Sequence, residues 1–279
     1  MLKVSSNANS YTASMGLSSA APTASVVNAL GRRIYFDPTD VRGKRLELAG
    51  GDLNPHSLQL WQLAIGLHDW DVVVDVGTNY GEMIVGVPIP AETRIMAFEP
   101  NARVVPYLKK TLAEFERPVE LAQAAVSDTV GHGVPFAQDA SWSGSSSLIL
   151  DREETAADEI VRDGVEVTTL DAAFGESTET SACIKVDVEG NEMAVLRGAA
   201  ATLGRLGRWA VMIEILHMNT SELGQIISAH HFYLLDQRTA GLVRVRSTNP
   251  EVLHAMLTSG WVYPQDAVLL SSPLTSWAA

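Results

Sequence analysis

The chain has 279 residues, 46% of them hydrophobic and 19% charged, the balance of a protein with a sizeable buried core. Its net charge of −13 repels phosphate backbones and anionic lipid heads, which excludes nucleic acid and the membrane surface as main partners. Its one cysteine, Cys183, has no partner for a disulfide within the chain; with no apolar run suited to a signal peptide or a bilayer span, the chain reads as cytoplasmic.

Residues 1–25 are rich in Ser, Ala and Asn, show no periodicity, and read as a mobile tail. Residues 26–68 form an N-terminal extension, with a strand-like run Arg33-Ile34-Tyr35-Phe36 and a helix that stacks Leu58, Leu60, Leu63, Ala64 and Leu67 on one stripe. From 69 to 279, apolar runs at 72–76, 95–98, 121–126, 184–188, 210–215, 232–235 and 267–270 alternate with helical segments. Runs that are apolar at nearly every position belong to strands covered on both faces. The expectation is therefore an α/β domain with a seven-stranded, mostly parallel sheet and helices on both sides. One of those helices is expected over 192–203, capped by Asn191.

The first run leads into Asp75-Val76-Gly77-Thr78-Asn79-Tyr80-Gly81-Glu82, an acid at a strand end, a glycine turn and a helix start. Ligands of open α/β sheets bind at such strand ends. Gly77 lets backbone approach a ligand, Gly81 lets the helix pack closely, and amides at the helix start suit a carboxylate or phosphate. The spacing G-x-x-x-G, with Asn79 where a dinucleotide fingerprint needs its second glycine, does not fit a pyrophosphate. Asp75 would repel a pyrophosphate too, and suits the ammonium of a bound amino acid. The second run closes on Phe98-Glu99-Pro100-Asn101, where Glu99 is placed to accept both ribose hydroxyls of an adenosine, at roughly 1.5–3 kcal/mol per charge-assisted bond. The third closes on Ala125-Val126-Ser127-Asp128, with Asp128 a candidate acceptor for an adenine amino group.

These segments, with Thr169-Leu170-Asp171 and Ile184-Lys185-Val186-Asp187-Val188-Glu189-Gly190-Asn191-Glu192, resemble the FkbM-type methyltransferases in order and spacing over about residues 70 to 216. The most distinctive part is the stretch from Lys185 to Glu192 followed by Val195-Leu196-Arg197-Gly198-Ala199. One departure is Thr78, where the family usually has Ala. The resemblance implies a Rossmann-like class I methyltransferase fold with a reversed final strand, S-adenosylmethionine as donor, and a hydroxyl oxygen as the usual acceptor. Residues before about 50 and the last 60 lie outside it, and acceptor specificity is expected there.

A hydroxyl acceptor needs a base or a metal to take up its developing charge. Asp187 and Glu189 close the fourth run on one face, with Lys185 there as an ion-pair partner of Asp187. Glu214 closes the fifth, and His217 follows three residues later. Two readings stay open: Asp187 with Glu214 binding a divalent cation such as Mg²⁺, or one of Asp187, Glu214 and His217 acting as a simple base. Glu189 and Glu192 read equally well as acids that hold the turn and the next helix start. Trp142 and Gly144-Ser145-Ser146-Ser147, in the long insertion between the third and fourth runs, are expected to form a lid. The expected function is an O-methyltransferase acting on a small molecule such as a sugar or natural-product intermediate. A nicotinamide-dependent oxidoreductase and a non-catalytic adenosine-binding protein are its rivals. Acceptor identity, metal dependence and assembly into a homo-oligomer are left open by the sequence.

Overall fold

The computed structural model describes residues 23–139, 141–148 and 160–277, so nearly all of the tail expected at 1–25 lies outside the described residues. The extension opens with an antiparallel hairpin, β1 (Ser25–Val27) and β2 (Arg33–Tyr35), where the short run at Arg33 predicts a strand. Two helices follow, α1 (Val41–Leu48) and α2 (Pro55–Ile65). The buried stripe of α2 centres on Ser57, Leu60, Trp61 and Ala64, while Leu58, Leu63 and Leu67 pack at its margin.

The next elements are β3 (Val72–Val76), the one-turn α3 (Glu82–Val85), β4 (Arg94–Phe98), α4 (Val105–Glu114) and β5 (Glu120–Ala122). An insertion then contributes β6 (Ala125–Val126), β7 (Gly131–Asp139), β8 (Ser147–Leu148) and β9 (Ile160–Thr168), followed by α5 (Leu170–Phe174). The last third holds β10 (Ser181–Val186), α6 (Glu192–Arg197), α7 (Ala200–Arg205), β11 (Arg208–Glu214) and α8 (Thr220–Ala229). It ends with β12 (His231–Asp236), β13 (Gly241–Val245), α9 (Pro250–Leu257) and β14 (Asp266–Leu270).

The central sheet runs β13-β12-β14-β11-β10-β3-β4-β5. Strands β5, β4, β3, β10 and β11 pair in parallel, and β14 enters antiparallel between β11 and β12. This is the Rossmann-like class I methyltransferase arrangement with its reversed final strand. Side chains alternate across it: Val73 joins Ile34, Trp61, Tyr80 and Cys183 in a core on one face, while Val72, Val74 and Val76 join Ile184, Val211 and Phe232 on the other. The extension has no core apart, since its Ile34, Leu46 and Trp61 complete the first of these layers.

Three expectations need correction. The sheet has eight strands rather than seven, because β13 hairpins onto β12 at the edge. Its Leu-Val-Arg-Val pattern is mostly half-buried and so has no continuous apolar run. The run 121–126 is two strands in two sheets, with β5 on β4 and β6 on β9. The helix expected over 192–203 breaks between α6 and α7: the Gly198 carbonyl accepts from Asp171 N at 2.8 Å, and the Asp171 carboxylate takes Ala201 N at 3.1 Å and Thr202 N at 2.7 Å. Asp171 thus caps a new helix where an intrahelical bond would otherwise form. Among the described residues no helix is long and apolar enough to cross a membrane.

Candidate active site

The carboxyl ends of β3, β4, β10 and β11 open into a cavity of about 290 Å³, roofed by α1 and by residues 142–148 of the insertion. The loop after β3 is fixed at its base, where Gly77 N and Thr78 N donate to the Phe98 carbonyl at 3.0 and 3.1 Å. Gly77 has φ +79°, and a Cβ built on it would lie 1.8 Å from the Asp187 carbonyl oxygen. Glycine is therefore demanded by the neighbouring backbone rather than by ligand space, which corrects the sequence-based rationale. At Gly81 (φ +90°) a Cβ would sit 3.0 Å from Leu108, in keeping with close helix packing.

Glu99 is 5% exposed and lines the cavity. Its Oε1 accepts Asn101 N and its Oε2 accepts Asn79 N, each at 2.8 Å. Burial pushes its carboxyl up to about 7 against the pull of those two amides. Each oxygen keeps a lone pair for a further donor, in an orientation set by backbone. Asn79, at φ +49°, also accepts from Arg42 Nη1 at 3.0 Å. Pro100 lines the cavity beside Glu99.

Other predicted donor-binding residues sit behind this surface. Asp75 is fully buried, outside the cavity lining, and ion-paired to Lys185 Nζ at 3.2 Å. Burial raises its carboxyl to about 6, opposed by Lys185. The Thr78 hydroxyl donates to the Asp75 carbonyl at 2.9 Å, and the Asn101 amide donates to Ser146 Oγ at 3.3 Å. Ser127 is buried beneath the lining, and Asp128 is exposed with its carboxylate on Arg197 Nε at 2.9 Å. The strand-end position of Asp128 lies past the point where the chain leaves the central sheet, which is why its side chain misses the cavity.

Across the cavity stand Asp187, Glu189 and Glu214. As expected, Lys185 pairs with Asp187, at 3.3 Å; burial works against its ammonium, but Asp187 and Asp75 raise its pKa overall. Glu189, at φ +58°, reaches His217 Nε2 at 3.2 Å, and His217 stands 3.9 Å from Glu214. Burial, then the neighbouring acids, lifts Glu189 to about 8 and Glu214 to about 10. Glu192 holds the turn, taking Gly190 N at 2.9 Å and Val188 N at 3.2 Å, as the simpler of its two readings foresaw. The donor atoms of Glu189, Glu214 and His217 all lie within 4.8 Å of one another. That group has the mutual reach to hold one cation; it includes Glu214 of the pair expected from sequence, while Asp187 pairs with Lys185.

The roof is tied down. Asp40, wholly buried, accepts Arg42 N and Ser143 N on Oδ1 at 3.1 Å each, and the Tyr80 hydroxyl on Oδ2 at 2.6 Å. Arg45 stacks over Trp142 at 5.0 Å, and Asn191 donates to the Leu148 carbonyl at 3.3 Å. Sequence reasoning missed Arg42, Arg45 and Asp40. Asp40 and Arg42 sit at the polar start of α1 and Arg45 in its last turn, far from any motif and with no signal of their own.

A family model described as "Methyltransferase FkbM domain" matches residues 75–239. No curated protein matches the chain. Solved structures similar to it include an rRNA methylase from Streptococcus thermophilus (15% identity, 77% of this chain and 92% of that one, TM-score 0.35). Another is the plantazolicin methyltransferase BpumL with a desmethyl plantazolicin analog and SAH (8%, 84% and 92%, 0.41). A third is the O-methyltransferase TomG from Streptomyces achromogenes with SAM (14%, 85% and 90%, 0.35).

Proposed function

The chain belongs to the FkbM-domain methyltransferase family, and on that premise we infer that it transfers a methyl group from S-adenosylmethionine to a hydroxyl of a small molecule such as a sugar or natural-product intermediate. Glu99 carries the donor assignment: a buried carboxylate, each oxygen set by one backbone amide, fits two ribose hydroxyls. Bound there, S-adenosylmethionine supplies an electrophilic methyl group. The chain's own residues do the rest. Glu99 orients the nucleoside, Ala125 and Val126 line the cavity at the end of β6, and the roof excludes water. Burial and the neighbouring acids raise the pKa of Glu214 and favour its protonated form, which points to Asp187 or His217 for taking the acceptor's proton.

Calorimetry with S-adenosylmethionine and with NAD tests the donor. Micromolar binding of the first and none of the second is expected, and NAD binding would overturn the assignment. A second reading is favoured by the mutual reach of Glu189, Glu214 and His217: a divalent cation held there would take up the acceptor's charge in place of a base. Activity lost in EDTA and restored by Mg²⁺ would support the cation, and indifference to chelator would support the base.

A further inference from the structure

Behind the Gly77 loop the main cavity continues into a small annex of about 30 Å³, room for about two water-sized groups. Arg42, Gly77 and Asp187 line both spaces, so the annex opens beside the backbone that faces the acid cluster. Its other charged walls are Asp52, half-buried at the rim, and Glu82, Lys185 and Asp266.

Most of those charges are already committed. Lys185 donates to the Gly77 carbonyl at 3.3 Å and is ion-paired with Asp75 at 3.2 Å and Asp187 at 3.3 Å. Asp266 accepts from Ser57 Oγ at 2.6 Å. Arg42 and the buried Glu82 both keep capacity for a ligand. Arg42 gives one bond to Asn79 and one to Glu82 Oε1, two of its five N–H donors. Glu82 is 7% exposed, and its Oε2 has no hydrogen-bond partner among the described residues. A buried oxygen of that kind is costly unless something occupies the space before it. One spare cationic donor set beside one spare anionic acceptor is the complement of a zwitterion.

We propose that the annex seats the amino-acid end of the methyl donor, with Arg42 binding its carboxylate and Glu82 Oε2 its ammonium. This rests on the S-adenosylmethionine reading above and carries it further. Gly77 and Asp187 line both the cavity that holds Glu99 and the annex, so an arm extending from an adenosine on Glu99 can enter the annex between them. The ammonium role thus passes from Asp75, fully buried and outside the lining of both spaces, to Glu82 at the start of α3. The carboxylate role falls to α1 of the extension, ahead of the residues the family model matches. Arg45, the other cation lining the main cavity, is exposed and stacked on Trp142.

The test is calorimetry with S-adenosylhomocysteine and with 5′-methylthioadenosine, which keeps the nucleoside and thioether and lacks the amino-acid end. Wild-type protein should bind the first at least tenfold more tightly. Arg42→Gln and Glu82→Gln should each lose tenfold or more for S-adenosylhomocysteine and less than twofold for methylthioadenosine, and Arg42→Lys should recover part of the loss. Equal binding of the two ligands by the wild type would overturn the proposal and leave the donor assignment standing, and needs no variant to fold. Equal losses for both ligands in the variants would make Arg42 and Glu82 structural and overturn it as well. Binding of neither ligand by the wild type would remove the donor assignment, and this proposal with it.

Discussion

Glu99 and Glu214 occupy the same kind of place, the acid that closes or directly follows a parallel strand, and they have been built for opposite circumstances. Each oxygen of Glu99 receives a backbone amide, and its pKa stops at about 7. Glu214 faces Asp187, Glu189, Glu192 and Asp266, its Oε2 has no hydrogen-bond partner among the described residues, and its pKa rises to about 10. Burial is the largest influence on both. What separates them is whether the flanking loop turns its amides toward the carboxylate. An acid met by amides is ready to receive neutral hydroxyls, whereas one met by other acids holds a proton or needs a cation.

If the two sides divide binding from chemistry in this way, substitutions should separate affinity from rate. The largest effect is expected at Asp187→Asn, which removes charge and keeps shape: turnover should fall about 10²–10⁴-fold, or about 3–5 kcal/mol of barrier, with donor affinity nearly unchanged. Full turnover in both Asp187→Asn and His217→Ala would break the comparison. Gly77→Val comes next. Its side chain would meet the Asp187 carbonyl in a left-handed backbone, so a stability loss of about 2–5 kcal/mol is expected in denaturant unfolding. Native stability with only donor binding lost would return the glycine to ligand space. Glu99→Ala should weaken donor binding by roughly 1.5–3 kcal/mol for each ribose bond removed, and unchanged affinity would end its assignment.

Acidity gives a smaller and broader effect. Glu99 and Asp266 both titrate at about 7 in the fold, above their ordinary values, because burial disfavours the charged form. Between those ordinary values and pH 7 the folded chain binds more protons than the unfolded chain. The stability of the ligand-free protein should therefore fall as pH rises from about 5 to 8. Glu99→Gln should flatten that slope in thermal melts, and a slope that steepens would contradict the burial argument. The smallest effect is at Arg45→Ala, where losing the stack on Trp142 should cost about 0.5–1 kcal/mol of stability.

The central strands were readable because β3, β10 and β11 are buried almost throughout, and an apolar run is the signature of a strand covered on both faces. β13 was not, since an edge strand half open to solvent needs no such run. Asp75, Glu99 and Asp128 look alike in sequence, as acids at strand ends, yet only Glu99 faces the cavity. Asp75 points back to the lysine in register with it on β10, and Asp128 follows a strand that has left the main sheet. Those differences are set by pairing between distant segments, which local spacing does not record. Arg42 and Asp40 belong to the same class, since their meaning comes from the loops folded against them.

Asp40 has a consequence for motion. One buried carboxylate caps α1, grips the roof at Ser143 and takes the hydroxyl of Tyr80 in the donor loop. Lifting the roof strips Asp40 of an amide and weakens the helix cap and the tyrosine anchor at the same moment. Entry and exit of ligands then depend on a single cooperative opening in which roof, first turn of α1 and donor loop loosen together. Amide protons at Arg42 and Ser143 should accordingly exchange with deuterium at one shared rate, and ligand in the cavity should slow both by the same factor.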